Sequence, residues 1–317
     1  MIGLWVGAFT MAYVFGMIDQ RLKDAVENEV SHFQVHHPRF EDDNEARFVV
    51  PRGAELLSVI KKDPRMKAAG ARVITYGMIG SAQTSTGGKF VGMDPIAEDA
   101  LTGLKGKLTQ GTYFQDDSKN KVIISERLAQ KLKVKLRSKI VLTFQDTTGN
   151  IVAGAFRIIA LYKTYNSGYD DTHVFLRSSD LWDLLGTAGH YQEIAALLQD
   201  PEQLESMLTE LSGTYPKAKF ESWKELAPEL GLMIDSFDQY MIIFIIIILL
   251  ALSFGIVNTM LMAVLERVRE IGMLMAIGMN RWRVFSLIAL ETLYLVLIAS
   301  PLGLLLAYLT INHLGEV

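Results

Sequence analysis

Cysteine is absent from this chain of 317 residues. That absence removes disulfides, thiolate nucleophiles, cysteine-based zinc sites and any cysteine that could carry a lipid anchor. It does not fix a compartment, because a folded unit of about 220 residues buries enough apolar surface without covalent staples. Strongly basic stretches are absent too. The net charge is -4, and no run of cations stands ready to neutralise phosphates, which argues against a nucleic-acid binder. Recurrent catalytic patterns are also missing: there is no serine-nucleophile elbow and no HExxH. Thr84 to Phe90 has the flavour of a phosphate loop, but Gln83 stands where the first glycine is needed and Phe90 where a Ser or Thr would hold magnesium. It reads as a glycine turn before a strand.

The most informative absence is local. Residues 1–18 hold no Asp, Glu, Lys or Arg, and residues 239–317 hold only four basic and four acidic residues. Of 31 basic and 35 acidic residues in all, 27 and 31 therefore fall between Asp19 and Asp238. A mildly acidic domain is held between membrane-like ends, which argues against a soluble enzyme or a disordered tail. Gln239 to Leu265 carry no charge, and Val284 to Ile311 are interrupted only by Glu291. About 20 apolar residues cross a hydrocarbon core of roughly 30 Å, so both read as transmembrane helices, over 239–265 and 284–311. Residues 1–18 are expected to supply a first span, with Ile2 to Ile18 reaching about 26 Å. A cleaved signal peptide fits less well, because no Lys or Arg precedes the run and no small-x-small site follows it. The cytoplasmic start of this span is expected to be missing, and likewise a fourth helix after an extracytoplasmic end at 312–317.

Orientation follows from the loop 266–283, which holds Arg267, Arg269, Arg281 and Arg283. Short arginine-rich loops stay in the cytoplasm, which places residues 19–238 on the extracytoplasmic side. Leu22, Val26, Val30 and Phe33 recur at helical spacing and predict a stalk continuing from the first span. Strand-like runs follow at 72–79, 89–92, 122–125, 139–144, 156–162 and 194–199. Among them Glu126 to Val134 reads as an amphipathic helix, Asp200-Pro201 as a capped helix start, and Ser222 to Glu225 as a capping box. The expected fold is therefore a membrane protein: α-helical spans with a large inserted α+β extracytoplasmic domain, in two lobes of roughly 40–120 and 121–225.

Polar residues in unusual places are the candidate sites. His32, His36 and His37 with Glu29 could bind a metal if helical, since His32 and His36 are then one turn apart. Pro38 argues for a helix end or a strand instead, so they read as solvated residues at a membrane-proximal turn and no metal is expected. Glu291 lies within a span, where carboxylates face a protein interior or an aqueous path. It reads either as an interfacial or hydrogen-bonded structural residue or as a gating residue. Pro301 with Gly303 is expected to kink its helix or admit close packing, and Ser253, Gly255, Asn258 and Thr259 give the preceding span a small, polar contact surface.

The loop itself combines a charged start, an apolar middle and a basic end. Ile271, Leu274, Met275 and Ile277 form an apolar face about two turns long, too short to span, so this helix lies along the membrane or docks on a partner.

Phe254 to Leu265, followed by Glu-Arg-Val-Arg-Glu-Ile-Gly-Met-Leu-Met-Ala-Ile-Gly-Met, resembles the core domain of FtsX/MacB-type ABC transporter permeases, most similarly the lipoprotein-releasing LolC/LolE branch. Ser31 to His36, Ile123 to Ala129 and Ser222 to Pro228 extend the resemblance over nearly the whole chain. It implies a coupling helix docked on a separate ATPase subunit. Glu266, Arg267, Arg269 and Glu270 would make its polar contacts, Ile271, Leu274 and Met275 its apolar ones, with Gly272 and Gly278 in the same element. ATP and Mg would be bound by that partner, expected as a homodimer, so no cofactor is expected in this chain and it is not expected to be an enzyme.

A second permease, identical or paralogous, a lipoprotein cargo and a periplasmic carrier complete the implied partners. The implied location is the bacterial inner (cytoplasmic) membrane, multi-pass, with the large domain in the periplasm. Asn258, Glu291 and Pro301 would serve gating or packing, and acyl chains would meet Phe9, Val14, Met241, Phe244 and Ile248. Work would pass by mechanotransmission. Two alternatives share the architecture: a MacB-like exporter of macrolides, toxins or peptides, and an FtsX-like regulator of a cell-wall hydrolase.

Overall fold

A computed structural model describes residues 2–40, 45–116 and 118–315. The chain divides into two compact units, Met1–Leu22 with Glu229–Val317, and Lys23–Pro228. Helix α1 (Ile2–Ala25) runs on into a π turn over Val26–Val30. Phe33 has already left the helix for β1 (Phe33–His36), and the side chain of Leu22 lies outside the described residues. Then follow α2 (Gly53–Lys62), β2 (Met66–Gly80), β3 (Ser85–Met93), α3 (Pro95–Thr102), β4 (Leu108–Gly111), β5 (Lys121–Ser125), α4 (Glu126–Leu132), β6 (Lys139–Gln145) and β7 (Ile151–Tyr162). The inserted unit ends with β8 (His173–Arg177), α5 (Ser178–Leu185), β9 (Glu193–Leu198), α6 (Leu204–Thr214), β10 (Lys219–Ser222) and α7 (Trp223–Leu226).

Local chemistry explains many of the boundaries. Asp94 accepts from the Ile96 N–H and Pro95 opens α3. Ser125 Oγ accepts from the Leu128 N–H at 2.9 Å to start α4. Asp200 caps a single 3-10 turn that precedes α6. Ser222 and Glu225 form a reciprocal capping box on α7. Strands β5 and β9 are buried almost throughout and consist of near-continuous apolar runs.

The ten strands form one connected sheet in the order β10-β1-β9-β2-β3-β8-β5-β7-β4, with β6 pairing both β2 and β7. That extra pairing closes β2, β3, β8, β5, β7 and β6 into a ring, so six strands lose their free edges. Gly77 makes the closure possible: a Cβ there would meet the Thr143 carbonyl oxygen at 2.1 Å. Inside the ring lie Ile79, Phe90, Val122, Ile124, Leu142, Phe156 and Leu176, fully or almost fully buried. The antiparallel strands β10, β1 and β9, with the first half of β2, pack Phe33, Val35 and Ile194 against Leu56 and Ile60 of α2 and Met207 of α6.

The two lobes are therefore not divided at 120/121 as expected. One core joins residues 33–35 and 50–71 with 194–223, the other joins residues 73–185 with Ala46, and the second is inserted into the first. Strand β2 belongs to both, pairing β9 through Met66–Arg72 and β3 through Arg72–Gly80. A division in sequence fails because the first lobe is closed by pairing between β1 and strands nearly two hundred residues later.

In the other unit, α8 (Pro228–Glu266), α9 (Val268–Ala276) and α10 (Arg281–Gly315) follow α1. Two helical stretches among the described residues are long and apolar enough to cross a membrane, Gln239–Glu266 and Arg281–His313. Ile2–Ile18 is apolar but shorter, so the expected third span has the composition of a membrane helix without the usual length. Helix α10 passes through Pro301 without a break, and residues 316 and 317 lie outside the described residues.

Candidate functional site

The turn between α8 and α10 carries most of the chemistry the sequence points to. Helix α8 stops at Glu266, Arg267 adopts a non-helical conformation, and α9 starts one residue later. Its end is a complete Schellman closure: the Gly278 N–H donates to the Met275 carbonyl at 3.0 Å and the Met279 N–H to the Leu274 carbonyl at 3.1 Å. Gly278 supplies the required positive φ of 102°, which a side chain would resist. Asn280 then starts α10, its carbonyl accepting from the Arg283 N–H at 2.8 Å. The chain therefore makes a tight helical hairpin, α9 packed on the first turns of α10.

Ile271, Leu274 and Met279 are half-buried in this hairpin, and Val284 is buried. Of the three apolar contacts expected for a partner, only Met275 is exposed, at 49%; Met273 and Ile277, at 63% and 82%, are more exposed still. Glu266, Arg267, Arg269, Glu270 and Gly272 are exposed. Glu291, 24 residues from Arg267, accepts from its Nη1 at 3.1 and 3.4 Å through its two carboxylate oxygens. Beside this pair, Thr292 Oγ1 reaches Met260 Sδ at 3.2 Å. Sequence reasoning singled out both charged residues but did not pair them. A lone carboxylate in an apolar run with an arginine at the nearest helix end was the available signal.

Higher in the same unit, α1, α8 and α10 line a groove of about 780 Å³, with Gly7, Thr10, Phe244, Ile248, Thr259 and Thr292 among its walls. The Thr259 hydroxyl donates to the Gly255 carbonyl and that of Thr292 to the Ile288 carbonyl, so these walls present little unsatisfied polarity. Of the five residues expected to meet acyl chains, Phe244 and Ile248 line the groove. Phe9, Val14 and Met241 do not; Phe9 stacks between Trp5 and Tyr13, at 6.4 and 6.0 Å. Asn258 and Pro301 are exposed on their helices.

The inserted unit holds a buried charge network that sequence reasoning missed. Arg72 on β2 grips Glu98 of α3 with Nε and Nη2, both at 2.8 Å, and reaches Glu193 of β9 with Nη1 at 2.6 Å. Glu193 lies 3.6 Å from His36 Nε2 and 3.7 Å from Lys89 Nζ. His36 Nδ1 meets Glu221 of β10 at 3.0 Å. Burial alone would push the His36 imidazole down, but hydrogen bonds and charge from Glu193 and Glu221 outweigh it and raise its pKa. Burial would likewise raise Glu193, yet Lys89, Arg72 and His36 hold it well below the carboxylate range. Nearby His173, stacked on Tyr169 at 3.8 Å, is pushed down to about 3 by burial and by the Lys89 charge.

His36 and His32 are thus buried strand residues rather than solvated ones: His32 Nδ1 accepts from the Leu198 N–H at 2.9 Å. Their spacing has no helical meaning, because β1 begins at Phe33. No grouping of three or more acidic or histidine side chains suited to a metal occurs among the described residues.

Residues 242–314 match the FtsX-like permease C-terminal family. An uncharacterized ABC transporter permease of Methanocaldococcus jannaschii is 26% identical over 209 residues, 64% of this chain and 51% of the relative. The lipoprotein-releasing system transmembrane protein LolC of Haemophilus influenzae is 23% identical over 252 residues, 75% of this chain and 61% of LolC. The chain thus spans about half to three-fifths of these relatives. Among solved structures, the periplasmic region of MacB from Actinobacillus actinomycetemcomitans aligns with 64% of this chain and 92% of its own length, at TM-score 0.43 and 13% identity. The extracellular domain of the Gram-positive transporter YknZ aligns with 60% and 99%, at TM-score 0.42 and 15% identity. The charged hairpin thus lies inside the region that matches the FtsX-like permease C-terminal family, and the chain as a whole is similar to ABC transporter permeases, LolC among them.

Proposed function

We propose that this chain is the membrane subunit of a machine that releases lipoproteins from the inner membrane towards the outer membrane, driven by ATP hydrolysed in a separate ATPase subunit. The carrying observation is the α9 hairpin. It leaves Met273, Met275 and Ile277 exposed next to Glu266, Arg269 and Glu270, a mixed apolar and charged surface of the kind a partner groove covers. Similarity to LolC over both the permease region and the inserted domain supports the choice of cargo.

In this reading the four arginines of 267–283 keep the hairpin in the cytoplasm, and the inserted domain stands in the periplasm. ATP and Mg bind only the partner. Closure of the ATPase pair pushes the hairpins of two permeases, identical or paralogous, and the helices carry the motion outward to cargo that never crosses the bilayer. Acyl chains enter along the groove at Phe244 and Ile248, whose apolar walls replace lipid contacts at little cost, and a periplasmic carrier receives the product.

Exposed side chains give the cleaner test. Met273→Glu with Ile277→Glu spares the hairpin packing and removes two apolar contacts, each contributing about 1.5–3 kcal/mol if fully covered. Copurification of the ATPase in mild detergent should be lost; unchanged capture overturns the docking. On depletion of the protein, lipoproteins should accumulate in the inner membrane. Normal lipoprotein sorting would exclude that cargo.

A further inference from the structure

The Arg267–Glu291 pair joins the turn between α8 and α9 to α10. Arg267 is the sole residue between α8 and α9, and its own backbone carbonyl accepts from the Ile271 N–H at 3.0 Å. Glu291 is ten residues into α10, about 15 Å along its axis from Arg281. Beyond Glu291, the 22 residues from Thr292 to His313 carry no Asp, Glu, Lys or Arg and reach about 33 Å, one hydrocarbon thickness. On the other helix, the uncharged run ends at Leu265. The pair therefore marks the level at which both long helices leave the apolar layer, and residues 268–290 project past it. A carboxylate at that level without a partner is costly; with one it is a fixed point.

We propose that Glu291 is a positioning residue: by holding the Arg267 guanidinium it sets the angle at which α9 leaves α8 and clamps α9 to the first turns of α10, so that residues 267–291 move as one rigid lever. The Schellman closure at Gly278 fixes the far end of the hairpin, and the ion pair fixes the near end. Between them, half-burial of Ile271 and Leu274 supplies the packing. Without the pair, a single non-helical residue joins α9 to α8, held only through its backbone by the Val264 carbonyl and the Ile271 N–H. The role as a lever rests on reading α9 as the ATPase-docking element; the clamp itself does not.

Because the chain has no cysteine, two introduced cysteines are the only labelling sites. Met273→Cys on α9 and Leu304→Cys on α10, exposed by 63% and 53%, carry spin labels, and the distance distribution between them is measured with the full chain in lipid nanodiscs. A narrow distribution is expected in the labelled parent and at least a twofold broader one in Glu291→Gln. The exchange Arg267→Glu with Glu291→Arg should narrow it again, a rescue that a role in folding alone would not produce. An unchanged width in Glu291→Gln overturns the clamp, and so does an exchange variant as broad as the single one. Since this readout involves no ATPase, a flat result leaves the docking reading standing, and failed ATPase capture leaves the clamp standing.

Discussion

Arg72→Met should remove a large part of the stability of the inserted domain. The Arg72 side chain is 6% exposed and its partners Glu98 and Glu193 only 1% and 2%, so methionine fills much of the volume but strands the Glu98 carboxylate away from water, while Glu193 keeps Lys89 and His36. Removing one member of a buried ion pair costs about 3–5 kcal/mol, because the remaining charge is uncompensated. Against a total of about 5–15 kcal/mol for a folded domain, that loss moves a urea midpoint by about 1–2.5 M, taking about 2–3 kcal/mol per molar for the slope. The compact unit Lys23–Pro228 contains Trp182 and Trp223, and their fluorescence reports its unfolding. Adding Glu98→Gln should recover part of the loss, since the stranded charge is then gone. A midpoint shift below about 0.3 M for Arg72→Met would mean that the Glu98 carboxylate reaches solvent or protonates without penalty, and the account of the network would fail.

Two further outcomes follow from named residues. The His36 pKa is raised in the folded state, so its contribution is fully present below the ordinary histidine value of about 6.5 and is lost as pH climbs through the folded value. The stability difference between wild type and His36→Gln should therefore shrink on going from pH 6 towards pH 9, while effects of other groups such as His173 cancel in the comparison; a difference that grows with pH refutes the charged imidazole. At Gly278, an added Cβ meets nothing within 4 Å, so Gly278→Ala isolates the backbone cost of positive φ, about 1–2 kcal/mol. Amide exchange at Met279, which closes the hairpin onto Leu274, should speed up by about tenfold at 1.4 kcal/mol per decade; unchanged exchange would show that the closure does not hold the turn.

Much of this architecture was legible because its signals are local. The uncharged runs, the Ser222 and Asp200 caps, and apolar strands such as Val122 to Ser125 all declare themselves within a few residues. Strand β2 was read only from Arg72, because its first half, Met66-Lys-Ala-Ala-Gly-Ala, has the composition of a helix or loop and is extended only through pairing with β9. Strand β8 was not read at all, since five residues between loops give no period. The hairpin was legible as a segment with a charged start, an apolar middle and a basic end, but which of its apolar residues point outward was not: Ile271 and Leu274 are claimed by their own hairpin, leaving Met273 and Ile277 outside. The buried network was invisible for a different reason. Its members come from six separate segments, and no spacing in one dimension joins His36 to Glu193 or Arg72 to Glu98.

That network also bears on how the inserted domain would answer a pull from its two connections. Phe33, the first residue of β1, pairs with Ser222, the last of β10, so the chain enters and leaves the domain at one end of one strand pair. Any difference in displacement between the two connections is felt first as shear between β1 and β10. Backbone hydrogen bonds resist shear poorly when only four residues pair on each strand. His36 bridges that pair by binding Glu221 on β10 from β1, and Glu193 and Arg72 extend the bridge over β9 to β2, the strand common to both lobes. Displacement at the connections thereby has a route to the second lobe through charge pairs whose separation is costly, added to the backbone pairing of β1, β9 and β2 and the apolar core they share. A domain built in this way responds as one body, which suits a chain whose function we place in transmitting motion rather than in catalysis.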